Sequence, residues 1–176
     1  MISFGDAGVT RRLFFALWPD EETRAELGAV SRSALRACKS RAVPAQNYHL
    51  TLAFLGDQSG QQVDRLATLA SVAVPEFELL LDHFGHWHGS RVLWLGLHEC
   101  PTGLAALVAQ IRTELDGLGI SYDRRDFRPH LTLARKVTAI PELEAPAPVQ
   151  WRVSTYALVE SVVTPAGSVY EVIKQY

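Results

Sequence analysis

Three observations predict an α+β fold of two pseudo-symmetric, antiparallel-sheet lobes, with helices outside and a central cleft. The chain spells five residues twice, His49-Leu50-Thr51-Leu52-Ala53 and His130-Leu131-Thr132-Leu133-Ala134. At average residue usage such a repeat in a chain this short is roughly a one-in-a-hundred accident. Each copy closes a similar unit of apolar strand, Pro-started amphipathic helix and loop, with 35 positions from Phe14 to His49 and 37 from Leu93 to His130. A repeat that extends to a supersecondary unit implies two related lobes. The remaining runs are β-branched, aromatic and short, bounded by turn residues, which is the signature of strands.

The elements follow in order. Leu13 to Trp18 is a continuous apolar run bounded by Pro19, read as a buried strand after a loose start over residues 1–10;. Asp20 caps the next helix, with Glu21 and Glu22 in its first turn and Leu27, Val30, Ala34 and Cys38 at helical spacing;. The first motif strand runs from Tyr48 to Leu55 and ends at Gly56-Asp57. Ser59 and Gln62 form a capping box for a short helix carrying Val63, Leu66 and Ala70, stopped by Pro75;. Phe77 to Trp87 and Arg91 to Leu97 read as two strands joined by a His88-Gly89-Ser90 hairpin. Pro101 and Thr102 open a periodic helix through Leu104, Leu107, Val108, Ile111, Leu115 and Leu118, with Gly117 and Gly119 near its end;. A basic loop, Arg124 to Arg128, leads into the second motif strand. Ile140 to Pro148 is a Pro-rich connection too short to separate domains, and strands over Trp151–Val159 and Val169–Lys174 close a single domain spanning 1–176.

Composition bounds the function. The chain has 176 residues, 48% hydrophobic, enough for a sizeable core;. A net charge of −2 argues against coating long nucleic acid, which needs many phosphate neutralisations, but permits binding of one phosphate or a strand end;. Cys38 and Cys100 have no paired spacing, so neither a disulfide framework nor a zinc knuckle is expected. With no charged-then-apolar start and no 18-residue apolar stretch, the expectation is a cytoplasmic protein without a membrane span;.

On a strand, period two puts His and Thr of each motif on one face and the leucines on the other. The leucines face a core. Two such strands side by side line a cleft with two imidazoles and two hydroxyls: an acid, a base and two hydrogen-bond donors. That is minimal equipment for in-line displacement at phosphorus, where positioning and charge stabilisation do most of the catalysis. The chain has no Gly-x-x-x-x-Gly-Lys-Ser/Thr loop, so nothing points to nucleotide-driven chemistry.

Two His-x-Thr-x motifs about 80 positions apart resemble those of the 2H phosphoesterase superfamily. The stretches Arg12 to Ala16, Asn47 to Gly56, Arg91 to Gly96 and Phe127 to Arg135 look like its RNA 2',3'-cyclic phosphodiesterase branch, also called 2'-5' RNA ligase. The resemblance covers nearly the whole chain. It implies a bilobal α+β fold and hydrolysis of RNA 2',3'-cyclic phosphate ends to 2'-phosphates, without metal or other cofactor. It places His49 as proton donor and His130 as proton acceptor, with Thr51 and Thr132 on phosphate oxygens. The partners it implies are RNA ends, tRNA halves among the candidates; the chain is further expected to need no membrane and no obligate protein partner and to be a monomer. Any joining of ends would run without ATP, because the cyclic phosphate retains the energy of the bond to be made.

Other residues admit more than one reading. Arg135 sits at the family's basic place and can clamp a phosphate, but strict alternation turns it away from His130 unless a bulge or strand end intervenes. Tyr48 and Phe127, flanking the motif histidines, can stack on a base or pack in the core. Arg124, Arg125, Arg128 and Lys136 read as a solvated basic loop. His83, His86, His88 and His98 invite a metal reading, but no carboxylate other than Glu99 offers convincing ligand spacing, and a polar hairpin accounts for them better. Two further functions stay open: a phosphodiesterase of small cyclic phosphates, of a nucleotide or ADP-ribose, and a module that binds RNA ends without chemistry.

Overall fold

The computed structural model describes residues 10–69, 76–165 and 167–176. The first apolar run is the strand β1 (Thr10–Leu17). Its alternation sends Leu13, Phe15 and Leu17 to the main core, and Phe14 and Ala16 to a smaller apolar cluster on the opposite face;. Helix α1 (Glu21–Ala37) starts as expected: Asp20 Oδ1 accepts the Thr23 backbone N–H at 2.8 Å, and two acidic residues sit at the positive end of the helix;. A short strand β2 (Lys39–Ala42) and a 3₁₀ turn (Ala45–Asn47) lead into β3 (Leu50–Ser59). The sequence expectation ends this strand at Gly56-Asp57. Instead it continues to Ser59, because Gly56 takes a φ of +70° beside a register slip and pairing with β1 resumes beyond it;.

Helix α2 (Gly60–Ala67) has the expected capping box, with Gln62 N–H donating to Ser59 Oγ and Ser59 N–H to Gln62 Oε1;. The helix ends at Ala67 with Thr68 as its C-cap, short of the expected Ala70, where the Thr68 N–H turns back to Arg65 O; Ala70 and Pro75 themselves lie outside the described residues. The run from Phe77 to Trp87 is two strands, β4 (Phe77–Leu81) and β5 (His83–Trp87), which belong to different sheets. Asp82 makes the break: its N–H goes to Gly96 O at 2.9 Å and its carboxylate takes the His98 N–H at 3.1 Å. The hairpin to β6 (Val92–Gly96) is as read from the sequence. Helix α3 (Thr102–Gly117) buries Leu104, Leu107, Val108, Ile111 and Leu115. Gly119, at φ +65°, lets the Ile120 N–H reach back to Leu115 O at 2.9 Å, closing the helix end;.

The chain finishes through β7 (His130–Ala139), β8 (Val149–Val153), β9 (Ala157–Thr164) and β10 (Gly167–Gln175). The expected strand over Trp151–Val159 is thus also two. It breaks where Tyr156 leaves one sheet and exchanges backbone hydrogen bonds with Tyr176. β4 and β8 form a small two-stranded sheet, while the large antiparallel sheet has the order β10-β9-β1-β3-β7-β6-β5, with β2 on β7. β3 and β7, which carry the motifs, are the central neighbours, joined only at Leu50 and Leu131. Either side of this joint, β1, α1 and β3 match β6, α3 and β7 in order. The main core fills one face of the sheet and takes in the apolar faces of α1 and α3, so the opposite face is left for the cleft. Among the described residues no helix is long and apolar enough to cross a membrane.

Candidate active site

Leu50 and Leu131 are both fully buried. Their neighbours on the strands therefore turn to the other face, and His49, Thr51, His130 and Thr132 are all half-buried there;. Antiparallel pairing at Leu50 and Leu131 brings the two His-Leu-Thr segments together head to tail;.

Each imidazole is oriented in the same way. His49 Nδ1 lies 2.7 Å from Asn47 O, and His130 Nδ1 lies 2.7 Å from Arg128 O. A carbonyl only accepts, so Nδ1 carries a proton in both rings and Nε2 is left for chemistry. Burial pushes the His49 pKa down to about 4, and the charges of Arg135 and His130 act the same way, against the Asn47 carbonyl. Burial also lowers His130, aided by Arg135 and opposed by the Arg128 carbonyl. Both rings are thus neutral near neutral pH before any anion arrives.

The two motif strands share a bulge at one offset. Ala16 pairs with Thr51 and Phe15 with Ala53, skipping Leu52; Trp94 pairs with Thr132 and Leu93 with Ala134, skipping Leu133. At each bulge two successive residues face the core, Leu52 with Ala53 and Leu133 with Ala134;. The next residue then rejoins the cleft face: Phe54 on one strand, Arg135 on the other. This is the bulge that Arg135 needed, and its charge is felt by both imidazoles. Arg41 lies directly across from it on β2.

Aromatic rings hold the imidazoles. Trp18 stacks on His49 with centroids 5.3 Å apart and 5° between planes, while Phe14 and Tyr170 lie at 4.9 and 5.0 Å. Trp87 meets His130 edge-on at 4.5 Å, with Trp94 at 6.5 Å. The available signal was that Leu13 to Trp18 is apolar on both faces, more than one core requires.

Not every candidate reaches the cleft. Tyr48 is 2% exposed in the main core, because it is out of phase with His49; it cannot stack on a base. Phe127 is half-buried against the same core. Two members of the basic run are paired locally: Arg124 with Asp116 at 2.5 Å and Arg125 with Asp123. The four hairpin histidines divide, His86 beside His88 with centroids 4.6 Å apart, and His83 beside His98 at 4.2 Å.

A family profile described as the 2'-5' RNA ligase superfamily matches residues 19–164, a span holding both motifs and the strands that carry them. The chain belongs to this superfamily. It is 36% identical over 151 residues to an RNA 2',3'-cyclic phosphodiesterase of Escherichia coli, covering 85% of this chain and 84% of that one. A protein of the same name from Thermus thermophilus is 32% identical, with 94% and 89% covered. The crystal structure of E. coli LigT complexed with 3'-AMP superposes with a TM-score of 0.86 at 32% identity, covering 96% of this chain and 98% of that one. The superfamily resemblance read from the two motifs is therefore the relationship found, and the α+β fold expected from it is shared with LigT.

Proposed function

We propose that the chain opens the 2',3'-cyclic phosphate at an RNA end to leave a 2'-phosphate, with His49 and His130 as acid and base. The observation that carries this reading is the matched pair of imidazoles, each with Nδ1–H fixed on a carbonyl and Nε2 free on the shared cleft face. The names of its relatives supply the substrate class.

His130 Nε2 takes a proton from water as the water oxygen attacks phosphorus. The bond from phosphorus to the 3' oxygen breaks, and that oxygen receives the proton from His49 Nε2. The assignment of acid and base follows the family resemblance. His49 must enter the step protonated, although its burial in the free protein favours the neutral ring. The substrate's own negative charge, placed beside it, raises its pKa toward the working range. Hydroxyls of Thr51 and Thr132 donate to the non-bridging oxygens, and Arg135 offsets charge that gathers on them. An RNA 5'-hydroxyl in place of water would give 2'-5' joining by the same displacement.

The test is an RNA with a 2',3'-cyclic phosphate end, incubated with the protein in EDTA and analysed for 2'-phosphate product. Turnover in chelator is expected. Activity lost in EDTA and restored by a divalent ion would overturn the metal-free route, and tight binding without turnover from about pH 5 to about pH 9 would favour a binding module.

A further inference from the structure

At the far edge of the second lobe, three nitrogens converge on one carboxylate oxygen. Asp82 Oδ1 lies 3.1 Å from His83 Nδ1, 2.8 Å from His98 Nδ1 and 3.1 Å from the His98 backbone N. A carboxylate oxygen has two lone-pair directions, so three donors crowd it. Two imidazole nitrogens and a carboxylate oxygen at these separations are also the donor set of a divalent transition metal. Tetrahedral bonds of about 2.0–2.2 Å put ligand atoms about 3.3 Å apart.

We propose that Asp82, His83 and His98 form a binding site for a divalent transition-metal ion such as Zn²⁺, separate from the hydrolytic pair. On binding, each imidazole moves its proton from Nδ1 to Nε2 and offers the Nδ1 lone pair, while the carboxylate gives up those two hydrogen bonds. Imidazole with carboxylate suits Zn²⁺, Co²⁺ and Ni²⁺, and water fills the remaining positions.

The scaffold holds the three ligands in place. His83 pairs with Gly96 across the hairpin, and His98 follows two residues later, tied by its own N–H to Asp82. Gly96 cannot be larger: a Cβ there would fall 2.5 Å from the Trp94 ring and 3.2 Å from His83. The side chain of His98 is 67% exposed, giving an ion a path from solvent. The site opens on a cavity of about 400 Å³ whose wall includes Glu144, a further oxygen donor. Asp82 is the carboxylate that sequence spacing did not single out, because it sits in the break between two strands.

The ion would lie on the cleft face without touching the reacting phosphorus. His83, Gly96 and His130 form one cross-strand row, so about 10 Å of sheet separates the proposed ligand from the hydrolytic imidazole. The inference thus stands apart from the proposed function, and hydrolysis in EDTA does not decide it.

The experiment titrates the chelator-stripped full chain near neutral pH, with Zn²⁺ by calorimetry and Co²⁺ by visible absorption. One ion per chain is expected, with Co²⁺ bands of low coordination number. Asp82→Asn, His83→Gln and His98→Gln should each weaken binding at least about tenfold, and His130→Gln should leave it unchanged. No saturable binding at micromolar Zn²⁺, or any pattern in which His130→Gln matters and His98→Gln does not, overturns the site. His98→Gln keeps the test decisive if Asp82→Asn fails to fold, since the His98 side chain lies on the surface.

Discussion

Leu50 stands directly opposite Leu131, and this one cross-strand pair is the joint between the two halves of the large sheet. Both side chains are fully buried, and each is followed by its motif threonine and preceded by its motif histidine. Packing at the joint therefore sets the distance between the two imidazoles. Leu131→Ala should cost about 2–5 kcal/mol in urea denaturation, the usual range for emptying a buried leucine site. It should also lower kcat of the protein that remains folded, which a purely distant core position would not do.

His49→Ala and His130→Ala should each reduce turnover on a cyclic-phosphate RNA by roughly 10²–10⁴, the range for a positioned acid or base. The double variant should lose less than the product of the two, since the groups act as one unit. A folded single variant with near wild-type turnover would return the repeat to a structural role.

Thr51→Val and Thr132→Val should cost less, roughly 1.5–3 kcal/mol of transition-state stabilisation, the worth of a hydrogen bond to a charged group. Measured kcat/KM, with circular dichroism to confirm the fold, checks this.

Proton uptake on binding follows from the lowered pKa values. Burial holds His49 near pKa 4, with Arg135 acting in the same direction, and an anion bound between the rings must raise it. Inorganic phosphate should therefore bind with uptake of protons, and more weakly as pH rises, read by NMR titration of the imidazoles and calorimetry in buffers of different ionisation enthalpy. Arg135→Gln should raise both histidine pKa values in the free protein. In the folding equilibrium the sign is that of a depressed group: the unfolded chain binds more protons between about pH 4 and about pH 6.5. Stability from His49 is then present above that window and lost as pH falls through it.

Gly85 pairs with Trp94, and a Cβ at Gly85 would fall 2.0 Å from that ring. Gly85→Ala should displace the indole, destabilise the fold by about 1–3 kcal/mol as overpacking does, and change the near-ultraviolet circular dichroism. Because Trp94 also borders His130, activity should fall with it.

Much of this was legible because local signals and tertiary outcome agree. The Asp20 cap, the Ser59 and Gln62 box and the periodic leucines of α3 act within one turn of chain, so sequence alone places them. The paired histidines were legible for another reason, since a repeat announces itself. What escaped was decided by long-range pairing. Asp82 and Tyr156 break strands because of backbone partners 14 and 20 positions away, and no local propensity marks that. Tyr48 was drawn to the cleft by its nearness to His49, whereas alternation sends it to the opposite face. Phe14 and Trp18, on β1 and at its end, and Tyr170, on β10, gather on His49 from two strands distant in sequence, and Asp82, His83 and His98 come from two sides of a hairpin.

The bulges at Leu52 and Leu133 have a consequence for polarity. A frame in which the same pentapeptide faces itself is nearly its own mirror in function, and offers a bound terminus no reason to lie one way rather than the other. The extra residue on each strand opens one further position to the cleft, and there the copies part: Phe54 presents hydrocarbon and Arg135 presents charge. Duplication alone builds a pocket that cannot tell left from right. Divergence at this offset, together with the different rings around the two imidazoles, would give it a direction, so that a ribose whose two oxygens differ only in place could be read the same way round every time.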